Sequence, residues 1–119
     1  MVFLRGIYNL LAISAITAFL GLVAIIFWIF RGFRPYGPIA TFWAKCLLRA
    51  SGITVQATGQ ENMDPNQPYV LMNNHRSHID VPSIFATAGR PLYFVAKKEL
   101  LWVPIFGVGM LAAGTIIVD

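Results

Sequence analysis

"YVLMNNHRSHIDVPSIF", residues 69–85, decides how the rest of this chain is read. Its first six residues form a short, nearly continuous apolar run, the pattern of a buried strand. Pro82 is tolerated only in the first turn of a helix, so a helix is predicted to start near Asp80 and to cover about 81–88. A strand passing through a polar turn into a helix opens an α/β unit. In parallel α/β sheets, ligands bind at the carboxyl ends of strands, and His75 stands at such an end.

The flanking residues extend the pattern. "ITVQATG" (53–59) alternates Ile53, Val55 and Ala57 and reads as a strand, and "QENMDPNQP" (60–68) is a turn-rich loop. The strand "LYFVAK" (92–97), a helical stretch from about Glu99 and the strand "TIIV" (115–118) follow. Strand–helix–strand–helix–strand is an α/β sheet with parallel crossovers, placed at residues 52–119. Leu100 to Val118 carries no charge and is long enough to span a membrane. Pro104, Gly107, Gly109 and Gly114 favour a buried or membrane-apposed helix followed by a core strand instead.

Before this domain the chain is a membrane segment. Of the 119 residues, 57% are hydrophobic and 12% charged. "IYNLLAISAITAFLGLVAIIFWIF" (7–30) has no charge and as a helix measures about 36 Å, enough to cross a ~30 Å hydrocarbon core. It exceeds the ~7–15 apolar residues of a signal peptide, and no small-residue cleavage site follows. Residues 1–34 are therefore expected to be an uncleaved anchor. Arg5 precedes the span, whereas Arg31, Arg34, Lys45 and Arg49 follow it, so the positive-inside rule leaves the C-terminal part cytoplasmic after a single pass. Phe27, Trp28, Phe30, Phe33 and Tyr36 form an interfacial belt. In 35–51, Ile39, Phe42, Trp43, Cys46 and Leu47 recur at helical spacing opposite Thr41, Lys45 and Arg49. This is an amphipathic helix that packs on the domain and touches headgroups, stopped by Ser51-Gly52. Cys46 is the only cysteine and reads as a packed thiol, with palmitoylation as the alternative.

Charge divides unevenly. Residues 1–58 hold five basic groups and no acidic one, while residues 59–119 hold four basic and five acidic. The formal net charge of +4 belongs to the anchor's flank and suits anionic lipid headgroups. Basic residues interleaved with membrane-type aromatics do not form a nucleic-acid site.

Within the polar turn, a carboxylate at a helix start is kept ionised by the helix dipole and can hold a nearby imidazole in one tautomer. His75 and Asp80 are thus the candidate base and its orienting partner. A Ser77–Asp80 capping box is disfavoured by Pro82. His78 is the rival histidine, but His75, His78 and Asp80 lack a convincing fourth ligand, and no metal is expected. A capped turn without chemistry is the remaining alternative.

Asn74-His75-Arg76-Ser77-His78-Ile79-Asp80 resembles the N-H-x-x-x-x-D block of the glycerolipid acyltransferases, especially the 1-acyl-glycerol-3-phosphate acyltransferases. "FVAKKELLWVPIFGVGMLAAGTIIVD" (94–119) is similar to that family's F-x-A-K-x-E-L, P-x-x-G and G-x-I-x-x-D segments, in order. The resemblance covers about 53–119 and implies a glycerolipid-acyltransferase-like αβ domain, of which this is the first part. It implies acyl transfer from acyl-CoA or acyl-ACP, with no other cofactor, to the free hydroxyl of a lysophospholipid, by default lysophosphatidate. His75 then matches the general base and Asp80 its partner. Lys97 and Lys98 match a segment near the acceptor, and Arg76 is a further candidate contact. An anchor of this kind is usual for bacterial members, which implies a bacterial inner membrane.

The arginine expected after Asp119 and the later E-G-T-R block are not in the sequence. It is therefore expected to be an N-terminal fragment, inactive alone. A lyso-ornithine lipid or another lysolipid acceptor, or a noncatalytic membrane-anchored binding module, are the alternatives.

Overall fold

The computed structural model describes residues 2–31 and 36–119. Phe33 and Arg34, assigned above to the aromatic and basic flank, lie outside the described residues, as do the side chains of Arg31 and Tyr36.

The apolar N-terminal stretch forms α1, Val2–Arg31, about 45 Å long and the one helix among the described residues that is long and apolar enough to cross a membrane. Helix α2, Tyr36–Ala50, returns antiparallel to it. The indole Nε1 of Trp43 donates to Thr17 Oγ1 at 3.1 Å, and the Arg5 guanidinium lies against Gly52 at the far end of α2. Helix α2 stops where the sequence places the stop. Gly52 takes a left-handed φ of 68°, its N–H donates to the Arg49 carbonyl, and the Ile53 N–H donates to the Leu48 carbonyl. That pair of bonds is a Schellman cap, and a Cβ at Gly52 would be strained.

Helix α3, Asp80–Thr87, falls within a residue of expectation. Strand β1 is Val95–Lys97 and strand β2 is Ile116–Val118. They pair in parallel, Val95 with Ile116 and Lys97 with Val118. The crossover between them runs through a 3₁₀ turn, Lys98–Trp102, and helix α4, Phe106–Ala112. An uncharged stretch long enough to span a membrane is thereby broken into turn, seven-residue helix and strand. The break is tight: a Cβ on Gly107 would lie 2.3 Å from the Leu101 carbonyl oxygen, which only glycine avoids.

Two expected strands are corrected. Residues 53–59 and 69–74 form no sheet pairing. The second is also not buried: Val70 is 90% and Met72 92% exposed. Apolar alternation sets which side chains share a face, but a strand exists only where a neighbouring backbone accepts its N–H groups. The molecule is helix-rich with a two-stranded parallel sheet, and the sheet is smaller than the sequence suggests.

The packed centre lies where α1, α2 and α4 meet. Ala24 and Ala112 are buried against each other, with Trp28, Ile39 and Ala113 around them. Gly21 of α1 faces Gly109 and Ile105, so α4 approaches the middle of α1 closely. Elsewhere the polar loop is clasped to the end of α3. The Arg90 guanidinium donates to the carbonyls of Gln67 (3.0 Å) and Asp64 (3.1 Å) and lies over the Tyr69 ring, while the Gln60 amide donates to the Thr87 carbonyl.

Candidate functional site

Residues 75–80 form one closed turn. The Asp80 carboxylate Oδ2 accepts from the backbone N–H groups of Arg76 (2.7 Å) and Ser77 (2.8 Å). Ser77 Oγ accepts from the Ile79 N–H at 3.3 Å, and the Asp80 N–H donates to the Ser77 carbonyl. One half of the disfavoured capping box therefore forms, the reach of the carboxylate back to the Ser77 N–H. Asp80 is the first residue of α3 and does not cap that helix, whose N-cap, Ile79, has no side-chain bond.

The same Oδ2 stands 3.6 Å from Nδ1 of His75, an ion-pair distance slightly longer than a hydrogen bond. The backbone N–H groups of Ser77 and then Arg76 hold the Asp80 carboxyl below the ordinary aspartate range, with further help from the charges of His75 and Arg76. Asp80 is thus an anion at neutral pH, directed at one nitrogen of His75, which leaves Nε2 for another partner.

His75 and Asn73 open onto a cavity of about 820 Å³. Its walls come from every helix: Thr17, Gly21 and Ala24 of α1, Trp43 of α2, Phe85 of α3 and Met110 of α4 are among them. Trp43 meets Phe85 edge-on at 6.3 Å, and Phe85 stacks on Phe94 at 5.1 Å. The volume suits a sizeable organic ligand, and the lining is mostly apolar.

Of the residues singled out in the sequence, His75, Asp80 and Lys97 come together here. His75 and Lys97 line the cavity, and Asp80 stands behind His75. Arg76 contributes its backbone N–H to Asp80. Lys98 does not join them; its Nζ pairs with Asp119 Oδ1 at 2.5 Å on an exposed surface. His78 is exposed and is not part of the cavity wall. Among the described residues, no group of three or more His, Cys, Asp or Glu is arranged to hold a metal. Sequence reading missed the wall itself. The available signals were Thr17, a hydroxyl inside an otherwise apolar helix, and Trp43 at core spacing on α2.

The site is thus a histidine backed by an ionised aspartate, on the wall of a largely apolar cavity built partly from α1. The chain belongs to the acyltransferase family, whose family model matches residues 54–119. It is 35% identical over 68 residues to the Homo sapiens protein named 1-acyl-sn-glycerol-3-phosphate acyltransferase alpha, covering 57% of this chain and 24% of that one. A protein of Chlamydomonas reinhardtii named as a 1-acyl-sn-glycerol-3-phosphate acyltransferase is 32% identical over 82 residues, 68% of this chain and 24% of its own. The Saccharomyces cerevisiae protein of that name is 28% identical over 121 residues, 98% of this chain and 39% of its own. The chain thus spans about a quarter of the length of the human and algal relatives. No solved structure matches it.

Proposed function

We propose that this chain forms part of an enzyme that transfers an acyl group from acyl-CoA or acyl-ACP to the free hydroxyl of a lysophospholipid, with lysophosphatidate as the acceptor. An alcohol is almost fully protonated at neutral pH, so its attack on a thioester needs a base in place as the C–O bond forms. His75 Nε2 takes that proton. The tetrahedral centre then collapses, the C–S bond breaks, and the proton passes from His75 to the departing thiolate. Asp80 stabilises the imidazolium formed between these steps, as the aspartate does in a serine hydrolase triad. Lys97, at the end of β1 on the cavity wall, attracts the acceptor's phosphate, with Arg76 as a further cation on the turn. The acyl chain lies in the cavity beneath.

The observation that carries this reading is the imidazole of His75 on the cavity wall with Asp80 behind it. The names of the relatives support the acceptor. Thioester donors are made in the cytoplasm, so on this reading the site works on the cytoplasmic face of a bacterial inner membrane, tethered by α1.

The test is made in the full-length enzyme. His75→Ala is expected to lower kcat by on the order of 10²–10⁴, and His78→Ala to leave it nearly unchanged. Equal losses from the two changes would remove His75 from its assigned role.

A further inference from the structure

Attack of a hydroxyl on a thioester pushes the carbonyl electron pair onto oxygen, and the anion so formed needs hydrogen-bond donors aimed at it. The turn that holds His75 has few left to offer. Its Arg76 and Ser77 N–H groups are committed to Asp80 Oδ2, the Ile79 N–H to Ser77 Oγ, and the Asp80 N–H to the Ser77 carbonyl. The rest of the cavity wall is mostly apolar. Of its polar members, the Trp43 indole N–H is taken by Thr17, and an ionised Glu99 can only accept. Lys97 is assigned to the acceptor's phosphate. The hydroxyls of Thr17 and Thr115 stand on other segments of the wall, one on α1 and one just before β2.

Asn73 is tied to His75 by the chain itself. Both residues line the cavity, whereas Asn74 between them does not, so the two side chains share one side of the backbone. The Asn73 amide nitrogen Nδ2 donates to the Asn74 carbonyl at 3.2 Å. That bond fixes which end of the amide carries the hydrogens and uses one of its two N–H groups. Among the described residues the second N–H has no acceptor. Asn73 also precedes the block that carries the family resemblance, which begins at Asn74, so the motif gives it no role.

We propose that Asn73 is a catalytic residue whose second amide N–H donates to the oxyanion formed at the acyl carbonyl. The inference rests on the acyl-transfer reading above. In the first step the acceptor's oxygen bonds to the carbonyl carbon, its proton passes to His75 Nε2, and the carbonyl pair moves onto the oxygen that faces Asn73. When that pair returns, the C–S bond breaks and the thiolate takes the proton from His75. The N–H stays on Asn73 throughout. A hydrogen bond to an anion is stronger than one to a neutral carbonyl, so the contribution of Asn73 falls on kcat rather than on KM.

The test compares Asn73→Ala, Asn73→Asp and His75→Ala in the full-length enzyme. Asn73→Ala is expected to lose on the order of 10²–10³ in kcat, with KM for thioester and acceptor unchanged within about twofold. Asn73→Asp keeps the side chain's shape, replaces the donor by an acceptor, and is expected to lose at least as much. A kcat within about threefold of the unaltered enzyme in either variant, or a loss confined to KM, overturns the assignment. If His75→Ala is then inactive, the base stands and only the role of Asn73 falls. If His75→Ala also keeps its rate, the acyl-transfer reading falls with it. Binding supplies a second readout without turnover. A donor analogue with a tetrahedral phosphonate in place of the thioester carbonyl is expected to bind Asn73→Ala on the order of 10²–10³ more weakly, while the ketone analogue with CH₂ in place of sulfur binds nearly as before. Equal weakening of both analogues would mean that Asn73 shapes the site instead of meeting the charge, and overturns the proposal.

Discussion

Oδ2 of Asp80 serves two purposes at one atom: it closes the 75–80 turn through the Arg76 and Ser77 N–H groups, and it faces His75. The first purpose depresses its pKa, and the sign of the linkage follows. A carboxyl whose folded pKa lies below its unfolded value stabilises the turn above that unfolded value, and the stabilisation is lost as pH falls through the folded one. The amide signals of Arg76 and Ser77 are therefore expected to shift together in an acid titration, with a midpoint below that of an ordinary aspartate. Asp80→Asn should abolish that transition and, in the full-length enzyme, lower kcat on the order of 10²-fold with little change in KM. An Asn variant with full kcat would confine Asp80 to a structural role. At this scale the sequence was informative, because a short turn between fixed residue types constrains its own geometry. It could not show that Lys98 turns away to Asp119, since that pair joins residues twenty-one positions apart through the alignment of β1 and β2.

Elements were legible where their signals are local. The stop of α2 at Ser51-Gly52 and the start of α3 near Asp80 depend on the chemistry of a few neighbouring residues, and both occur as expected. The segments 53–59 and 69–74 were misread as strands because pairing is not a local property; their alternating and apolar patterns are real, but among the described residues no backbone pairs with them. The break after Leu100 occurs as Pro104 and the glycines suggest, but the strand that follows, expected in the core, is largely exposed. The severity of the break appears only in three dimensions, where α4 folds back so closely that Gly107 touches the Leu101 carbonyl and Ile105 takes a φ of 64°, unusual for a β-branched residue. Gly107→Ala must displace backbone and is expected to cost about 1–3 kcal/mol, read as a lower unfolding temperature in detergent. Gly6→Ala, at a position with nothing within 4 Å, is the matched control and should not lower it. An unchanged unfolding temperature for Gly107→Ala would mean that the turn has slack the packing does not suggest.

At the scale of the whole molecule, the long apolar helix α1 also walls the cavity. Thr17, Leu20, Gly21 and Ala24 come from α1, Ile39, Ala40 and Trp43 from α2, and the remaining wall from residues between Asn73 and Thr115. No one segment encloses this space, so it is absent from any local reading of the sequence. If an acyl chain occupies it, the room left by Ala40 limits how many methylenes fit. Ala40→Leu in the full-length enzyme places a larger apolar side chain on that wall without touching His75 or Asp80. Each methylene kept out of the cavity forfeits about 0.8 kcal/mol of burial, roughly fourfold in kcat/KM. The variant is expected to retain its rate with short acyl-CoA donors and to fall progressively behind as the chain lengthens, measured as kcat/KM across a donor series. A uniform drop at every length would instead show that the substitution disturbs the His75 turn. An unchanged length profile would mean that the acyl chain lies elsewhere, and that this cavity serves a different part of the reaction.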